Sequence, residues 1–147
     1  MSRMFLLLVS FTGLLLVSSR TPAEDKKDPD KPDGKWEAVS QTVDGKSADE
    51  DELKNRYVVI KGGKMTFLYK DKERGTASVK LDSGKTPKQI DVKYEDGAAK
   101  GAVLKGIYKL EGDKLTICFG GLGKDRPTEF ASKPGSGTIL TTSKRVK

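Results

Sequence analysis

The residues of this chain that could carry out chemistry are few. The sequence contains no histidine and a single cysteine, Cys118. Without histidine there is no Ser-His or Cys-His couple, no imidazole ligand for zinc, and no side chain whose ordinary pKa lies near neutrality. A single cysteine also excludes an intrachain disulfide and a Cys-x-x-Cys redox pair. We therefore expect no catalytic residue, no metal ligand and no cofactor.

The densest group of carboxylates occupies residues 49–52, with the sequence Asp-Glu-Asp-Glu. Glycoside hydrolysis needs two carboxyl groups that face each other across a cleft. Four consecutive acids on a short helix point in different directions, so this pattern favours a solvated surface over a catalytic pair. The preceding Ser47-Ala-Asp-Glu50 is a capping-box pattern, and it predicts one short helix near residues 48–55.

Two other patterns point weakly to anionic partners. The glycine-rich segments at 120–124 and 135–137 are not followed by a helical pattern, which a phosphate-binding loop requires. The formal charge of +7 arises from lysines spread over the outward positions of strands, without clustered arginines and aromatic platforms. We expect no nucleic acid partner. Weak contact with an anionic envelope surface remains compatible with the charge.

The elements that must position these residues are strands. From Lys35 onward, apolar and polar residues alternate with period 2, and turn residues interrupt them at short intervals. Alternation with one polar face is typical of antiparallel sheets, and the Gly-containing turns at 61–64 and 111–114 predict tight hairpins. The predicted strands are 35–43, 56–61, 64–70, 74–81, 89–94, 102–110, 114–119 and 138–146.

Eight such strands predict an all-β fold, an eight-stranded antiparallel up-and-down barrel. An open sheet would expose unpaired backbone groups on both edge strands, and closure removes these edges. A two-sheet sandwich of the same strands stays open as an alternative. Outward lysines blunt sheet edges, which favours a monomer.

Residues 1–23 are predicted to be a secretory signal peptide. An apolar run, Met4–Val17, follows Arg3 and is shorter than the stretch of about 20 residues that a membrane-spanning helix needs. Cleavage is predicted after Ala23 or Ser19, and a retained anchor is the less favoured alternative. We expect a secreted or periplasmic protein with no stable membrane insertion after cleavage.

The segment that follows is predicted to be a flexible tether. Residues 24–34 are charged, include two prolines and lack apolar side chains, so they cannot bury enough surface to offset the entropy of ordering. The barrel domain is then expected at 35–147. Because Cys118 lies inside an apolar run, it is predicted to be a buried, inert thiol and not an intermolecular bridge.

Several motifs of the predicted barrel occur together in one known family. They are Gly34-Lys-Trp36, the stretch Gly106–Phe119, Arg126-Pro-Thr-Glu-Phe130 and Ser132–Gly137. With them, the chain after the tether closely resembles a family of uncharacterised lipocalin-like domains that is repeated many times in planctomycete genomes. The resemblance implies an exported lipocalin-like barrel, and it implies no activity.

The Gly-x-Trp motif with a late arginine also resembles the lipocalin signature. That resemblance implies that Trp36 forms the floor of the barrel and that Arg145 lies against its ring. We expect the guanidinium within about 6 Å of the ring centroid. Period-2 alternation then places Trp36, Ala38 and Ser40 on the inner face of the first strand. It places Ile139, Thr141, Ser143 and Arg145 on one face of the last.

Three tyrosines are candidate ligand contacts in the barrel. Tyr69, Tyr94 and Tyr108 fall on the predicted inner face, where their hydroxyl groups could meet an amphipathic guest. The alternative is that they fill the core and leave their hydroxyl groups at the rim.

The long loop at 120–137 supplies two further candidates. A loop of this length without a strand pattern is uncommon and often functional. Arg126 could bind an anionic group, and Phe130 could gate the mouth of the barrel. Alternatively, Arg126 pairs with an acid such as Glu129 and Phe130 plugs the barrel.

Two functions follow from this fold, and the space inside the barrel decides between them. In the first, an exported non-catalytic domain binds a small lipophilic ligand, apolar or amphipathic, inside the barrel. In the second, the inward side chains fill the barrel, which then serves as an interaction or structural module of the cell envelope. An enzyme is the least favoured reading, since no spacing points to a catalytic cleft.

Overall fold

The protein is described by a computed structural model that covers residues 30–147. The predicted signal peptide and residues 24–29 of the predicted tether lie outside the described residues. The elements are β1 (Gly34–Val43), β2 (Lys46–Ser47), α1 (Glu50–Leu53), β3 (Arg56–Lys61), β4 (Lys64–Tyr69), β5 (Lys72–Asp82), β6 (Lys88–Tyr94), β7 (Val103–Glu111), β8 (Lys114–Phe119) and β9 (Ile139–Arg145).

The strands form a closed antiparallel barrel. Strands β1 and β3 to β9 pair in chain order, and β9 returns to pair with β1. The short strand β2 forms a hairpin with the end of β1 and is not one of the eight strands that close the barrel. The predicted eight-stranded up-and-down barrel is therefore confirmed, including the tight turns at 61–64 and 111–114, and the sandwich alternative is wrong.

The barrel core follows the predicted alternation. The buried apolar side chains that form it come from the inner face of the strands, and they are Trp36, Ile60, Met65, Ala77, Ile90, Val92, Tyr108, Leu115 and Ile117. A shift of the pairing register by one residue would move every side chain of a strand to the other face. Burial of the apolar face therefore fixes the register of most strands.

Strand β1 departs from the alternation at a bulge. Its pairing with β9 shifts between Ala38 and Ser40, so one residue is inserted there without a partner. After the bulge Gln41 faces inward and Ser40 is exposed. The prediction of Ser40 on the inner face was wrong, because a strict period of 2 does not register an inserted residue.

The helix is a single turn and shorter than predicted. It covers Glu50–Leu53, and its N-cap is Asp49, which makes no side-chain capping hydrogen bond. Ser47 belongs to β2 instead, so the expected capping box does not form. Within residues 30–147, no helix has the length and apolar character needed to cross a bilayer.

The end of the predicted tether is packed against the barrel. Pro32 is fully buried, and its carbonyl oxygen accepts a hydrogen bond of 2.8 Å from Trp36 Nε1. The carbonyl of Asp33 accepts one of 2.7 Å from Arg145 Nη1. Residues 30–33 therefore cap the barrel, and the prediction of a free tether up to residue 34 was wrong. Apart from Pro32, these residues lack apolar side chains, which is why the sequence predicted no packing. Their backbone carbonyls hold them in place by accepting hydrogen bonds from the barrel.

Candidate functional site

The barrel is hollow and encloses a cavity of about 640 Å³. This volume lies within the range of about 300–1,000 Å³ that is common for small-molecule sites. The lining is mainly aliphatic and aromatic: Trp36, Val58, Ile60, Met65, Phe67, Val92, Leu104, Leu115, Ile117, Phe119 and Ile139 contribute to it. Such a lining favours an apolar guest.

Small side chains on two neighbouring strands help to leave this space empty. Ala38 of β1 lies opposite Ser143 of β9, and both line the cavity. Farther along the same pair, Gln41 Nε2 donates a 3.2 Å hydrogen bond to Thr141 Oγ1, and both residues line the wall. These side chains are short or are hydrogen-bonded along the wall, so they do not reach across the barrel. Space therefore remains between them and the large side chains of the opposite strands.

One end of the barrel is closed, and we call it the floor. Trp36 is only 1% exposed there, and Arg145 Cζ lies 4.3 Å from the centroid of its ring. The predicted contact is thus confirmed. A Cβ atom at Gly34, whose φ is +138°, would lie 2.5 Å from Arg145 Nη1. Glycine at this position lets the guanidinium pass beneath the indole, which gives the Gly-x-Trp motif a physical reason here.

The other end is the mouth, and helix α1 lies over it. The ladder between β1 and β3 stops at the pair Glu37 and Tyr57, and α1 contacts β1 beyond that point. Leu53 is the buried residue of the helix, at 4% exposure, and it lines the cavity. A four-residue helix thus covers the mouth with a single apolar side chain.

The rim of the mouth is charged. Asp51 and Glu52 of α1 line it together with Arg56 of β3 and Arg74 of β5, and all four residues are exposed. Exposed charges beside an apolar interior mark the boundary between solvent and the cavity.

The three candidate tyrosines separate between the two ends. Tyr69 and Tyr94 line the cavity. Tyr94 stacks on Phe67 with ring centroids 5.7 Å apart, and burial raises the pKa of its hydroxyl. Tyr108 lies at the floor, below the cavity, where its hydroxyl donates a 2.8 Å hydrogen bond to the carbonyl of Asp30. Tyr108 therefore does not line the cavity, and its placement matches the core-filling alternative.

The long loop lines no part of the cavity, and both of its candidates lie outside the barrel. Arg126 Nη1 is 2.7 Å from Asp91 Oδ1 and donates a 2.8 Å hydrogen bond to the carbonyl of Gly106. Lys109 Nζ lies 4.9 Å from the ring centroid of Phe130. Asp91 and Lys109 are outward residues of β6 and β7, so the loop packs on the outer wall. Arg126 thus pairs with an acid, as the alternative expected, although with Asp91 and not with Glu129. Phe130 does not line the cavity, so it is neither at its mouth nor inside it.

The outer packing explains the state of the cysteine. Cys118 is fully buried at 0% exposure, although it is on the outer face of β8. Its Sγ donates to the carbonyl of Ala131, 3.5 Å away in the loop. Burial raises the pKa of the thiol, and the charge of Glu129 adds to the rise. The predicted buried thiol is confirmed, and its protonated form is favoured.

The predictions from sequence missed several residues of the cavity wall, among them Gln41, Arg56 and Arg74. Gln41 is hidden by the bulge, and Arg74 lies next to a second irregularity, in the pairing of β4 with β5. Arg56 could have been found, since extending the alternation of Val58 and Ile60 by one step places it inward at the mouth.

Within residues 30–147, no group of three or more His, Cys, Asp or Glu side chains is arranged to hold a metal ion. Comparisons with protein-family models, with curated proteins and with solved structures gave no match.

Proposed function

We propose that this chain is an exported, non-catalytic binding protein that holds a small apolar or amphipathic ligand inside its barrel. The observation that carries the proposal is the cavity of about 640 Å³ with its apolar and aromatic lining. Transfer of apolar ligand surface from water into such a lining is favourable by about 25 cal/mol for each Å² buried.

The positions of the polar groups support the same function. Gln41 and Thr141 lie within the wall, while Arg56 and Arg74 lie at the rim. A few polar groups around an apolar interior are typical of sites that orient a small molecule. A ligand with an apolar body and a polar end fits this distribution.

The cavity volume argues against the filled-barrel alternative. An empty cavity costs dispersion energy, because the side chains that line it have no contact atoms on one side. A barrel that acts only through its outer face gains nothing in return for this cost. Binding of a ligand restores those contacts, so we favour the binding protein over the envelope module.

The proposal includes the setting of the protein. It is a monomer of the lipocalin-like family, secreted or periplasmic after removal of its signal peptide, and it meets anionic envelope surfaces only weakly. These parts rest on the sequence patterns at residues 1–23 and on the motifs of the barrel.

A cavity-filling substitution tests the function. The neutral dye N-phenyl-1-naphthylamine should bind with increased fluorescence. Thr141→Phe, which places a ring in the cavity, should weaken binding by at least about tenfold because cores tolerate extra volume poorly. Ser40→Phe is the matched control, since Ser40 is exposed on the neighbouring strand.

The ligand itself should be found in protein purified from its own host. Native mass spectrometry is expected to show a small bound mass that disappears on denaturation. If neither the dye nor a copurifying molecule binds, or if both variants bind the dye equally well, the proposed function is wrong.

A further inference from the structure

The mouth of the cavity carries two guanidinium groups without acidic partners. Arg56 and Arg74 both line the cavity and are both exposed. Among the ion pairs within residues 30–147, none joins either guanidinium to a carboxylate within 4.0 Å. The other described arginines differ, because Arg126 pairs with Asp91 and Arg145 with Asp113.

The register of the strands gathers these cations around one tyrosine. Arg56 of β3 is directly opposite Tyr69 of β4. Arg74 Cζ lies 5.7 Å from the centroid of the Tyr69 ring, and Lys70 Nζ lies 5.5 Å from it. The ends of β3, β4 and β5 thus bring Arg56, Lys70 and Arg74 close to one phenol, and of these cations the two arginines line the cavity. The acids of the same hairpin, Asp71 and Glu73, do not line it.

Helix α1 places acidic groups at the same mouth. Asp51 and Glu52 line it, yet neither forms an ion pair with Arg56 or Arg74. The charges of the mouth are therefore separated, with acids on the helix and cations on the strand ends. A head group placed against β3 to β5 meets guanidinium donors that remain available.

On the basis of the proposed function, we propose that the ligand is an amphipathic molecule with a terminal anionic group, of the class of long-chain carboxylates. Its apolar chain occupies the cavity, and its head group accepts hydrogen bonds from Arg56 and Arg74. A guanidinium presents planar paired donors that match a carboxylate. The Tyr69 phenol, which also lines the cavity, is a further donor at this side.

Three probes with straight alkyl chains of similar length and with different head groups test this inference. Laurate, 1-dodecanol and dodecyltrimethylammonium would each displace N-phenyl-1-naphthylamine from the cavity. We expect laurate to bind about tenfold more tightly than dodecanol at low salt, since two exposed ion pairs supply a modest gain each. The preference should shrink as salt screens the charges.

Substitution of both arginines should remove the preference. In Arg56→Gln/Arg74→Gln the affinity for laurate should fall about tenfold, to the level of dodecanol, whose own affinity reports an intact cavity. Arg56→Lys/Arg74→Lys keeps the charge and should retain part of the preference. The double change Lys80→Gln/Lys93→Gln is the matched control, because both lysines are exposed and neither lines the cavity.

The outcomes separate the two proposals. If laurate and dodecanol bind equally, or if the glutamine variant keeps the preference, the anionic head group is wrong while the binding function stands. A preference for dodecyltrimethylammonium would assign the head group to Asp51 and Glu52 instead and would also overturn the inference. If the dye itself does not bind, none of the probes can displace it, and the proposed binding function is wrong.

Discussion

The floor and the mouth of this barrel are built from the same strands but are completed in opposite ways. At the floor, Trp36 and Tyr108 are each 1% exposed, and the polar atom of each donates to a carbonyl of the capping segment, residues 30–33. At the mouth, one turn of helix supplies a single buried side chain, Leu53, above an empty space. The segments that cover each end, more than the strands, decide which end is packed.

The charged groups differ between the two ends in the same way. Arg145 at the floor contacts an indole ring, a backbone carbonyl and Asp113, and these contacts fix its position. At the mouth, Arg56 and Arg74 have no acidic partner within residues 30–147. A guanidinium with all of its partners in the protein stabilises the fold, whereas one without them remains available to a ligand. On the proposed function, this difference places ligand binding at the mouth, whereas the contacts of Arg145 stabilise the floor.

The largest expected effect compares an aromatic truncation at each end. Trp36→Ala should lower the free energy of unfolding by about 3 to 5 kcal/mol, as a large truncation in a packed core. Phe67→Ala should cost less, below about 2 kcal/mol, because its ring is only partly buried, whereas the Trp36 ring is 1% exposed and is held by Arg145 and by the carbonyl of Pro32. Urea denaturation of both variants measures the two losses. Equal losses would mean that the mouth is packed as tightly as the floor.

Removal of the capping segment should have the next largest effect. A chain that begins at Gly34 loses three carbonyl acceptors, those used by Trp36, Tyr108 and Arg145. Each such bond contributes about 1 kcal/mol, so the loss should be about 3 kcal/mol relative to a chain that begins at Asp30. Thermal denaturation of the two chains checks this. If their midpoints coincide, residues 30–33 belong to the tether after all.

The smallest expected change in stability is at the helix of the mouth. Leu53→Ala should lower the free energy of unfolding by only about 1 kcal/mol, because a peripheral turn opens locally without unfolding the barrel. Release of the bound dye, measured by stopped-flow fluorescence, should become several-fold faster. Asp49→Ala is the control, since its side chain makes no capping hydrogen bond and does not line the cavity. Unchanged release in the Leu53 variant would show that the dye leaves by another route.

The local patterns of the sequence were sufficient for the strands, and the resemblance to the lipocalin signature added the floor. Alternation over Ile90–Tyr94 and Leu115–Phe119 identified the inner faces correctly, because burial of one face of an antiparallel sheet imposes a period of 2 on the residues. The contact of Trp36 with Arg145 was expected from the resemblance to the lipocalin signature, and closure of the first strand on the last places the two residues opposite each other.

The route of the long loop was not accessible to such patterns. Nothing in the segment around Arg126 and Phe130 states whether it turns inward or outward. Its route is shown by contacts with Asp91 and Lys109, which lie many residues away along the chain. Long-range partners of this kind exist only once the barrel has closed.

The sequence by itself therefore determined an all-β barrel, its strand order and a buried cysteine, because each depends on alternation, turn residues or local composition. The tryptophan floor was expected from the resemblance to the lipocalin signature. Only the tertiary structure decided that the interior is hollow, that Gln41 faces inward and that residues 30–33 cap the floor. The physical reason is that the volume of a cavity equals the space enclosed by all the strands minus the volume of the side chains inside it. A single bulge or a packed end segment changes this volume, and neither can be read from the alternation of apolar and polar residues in one strand.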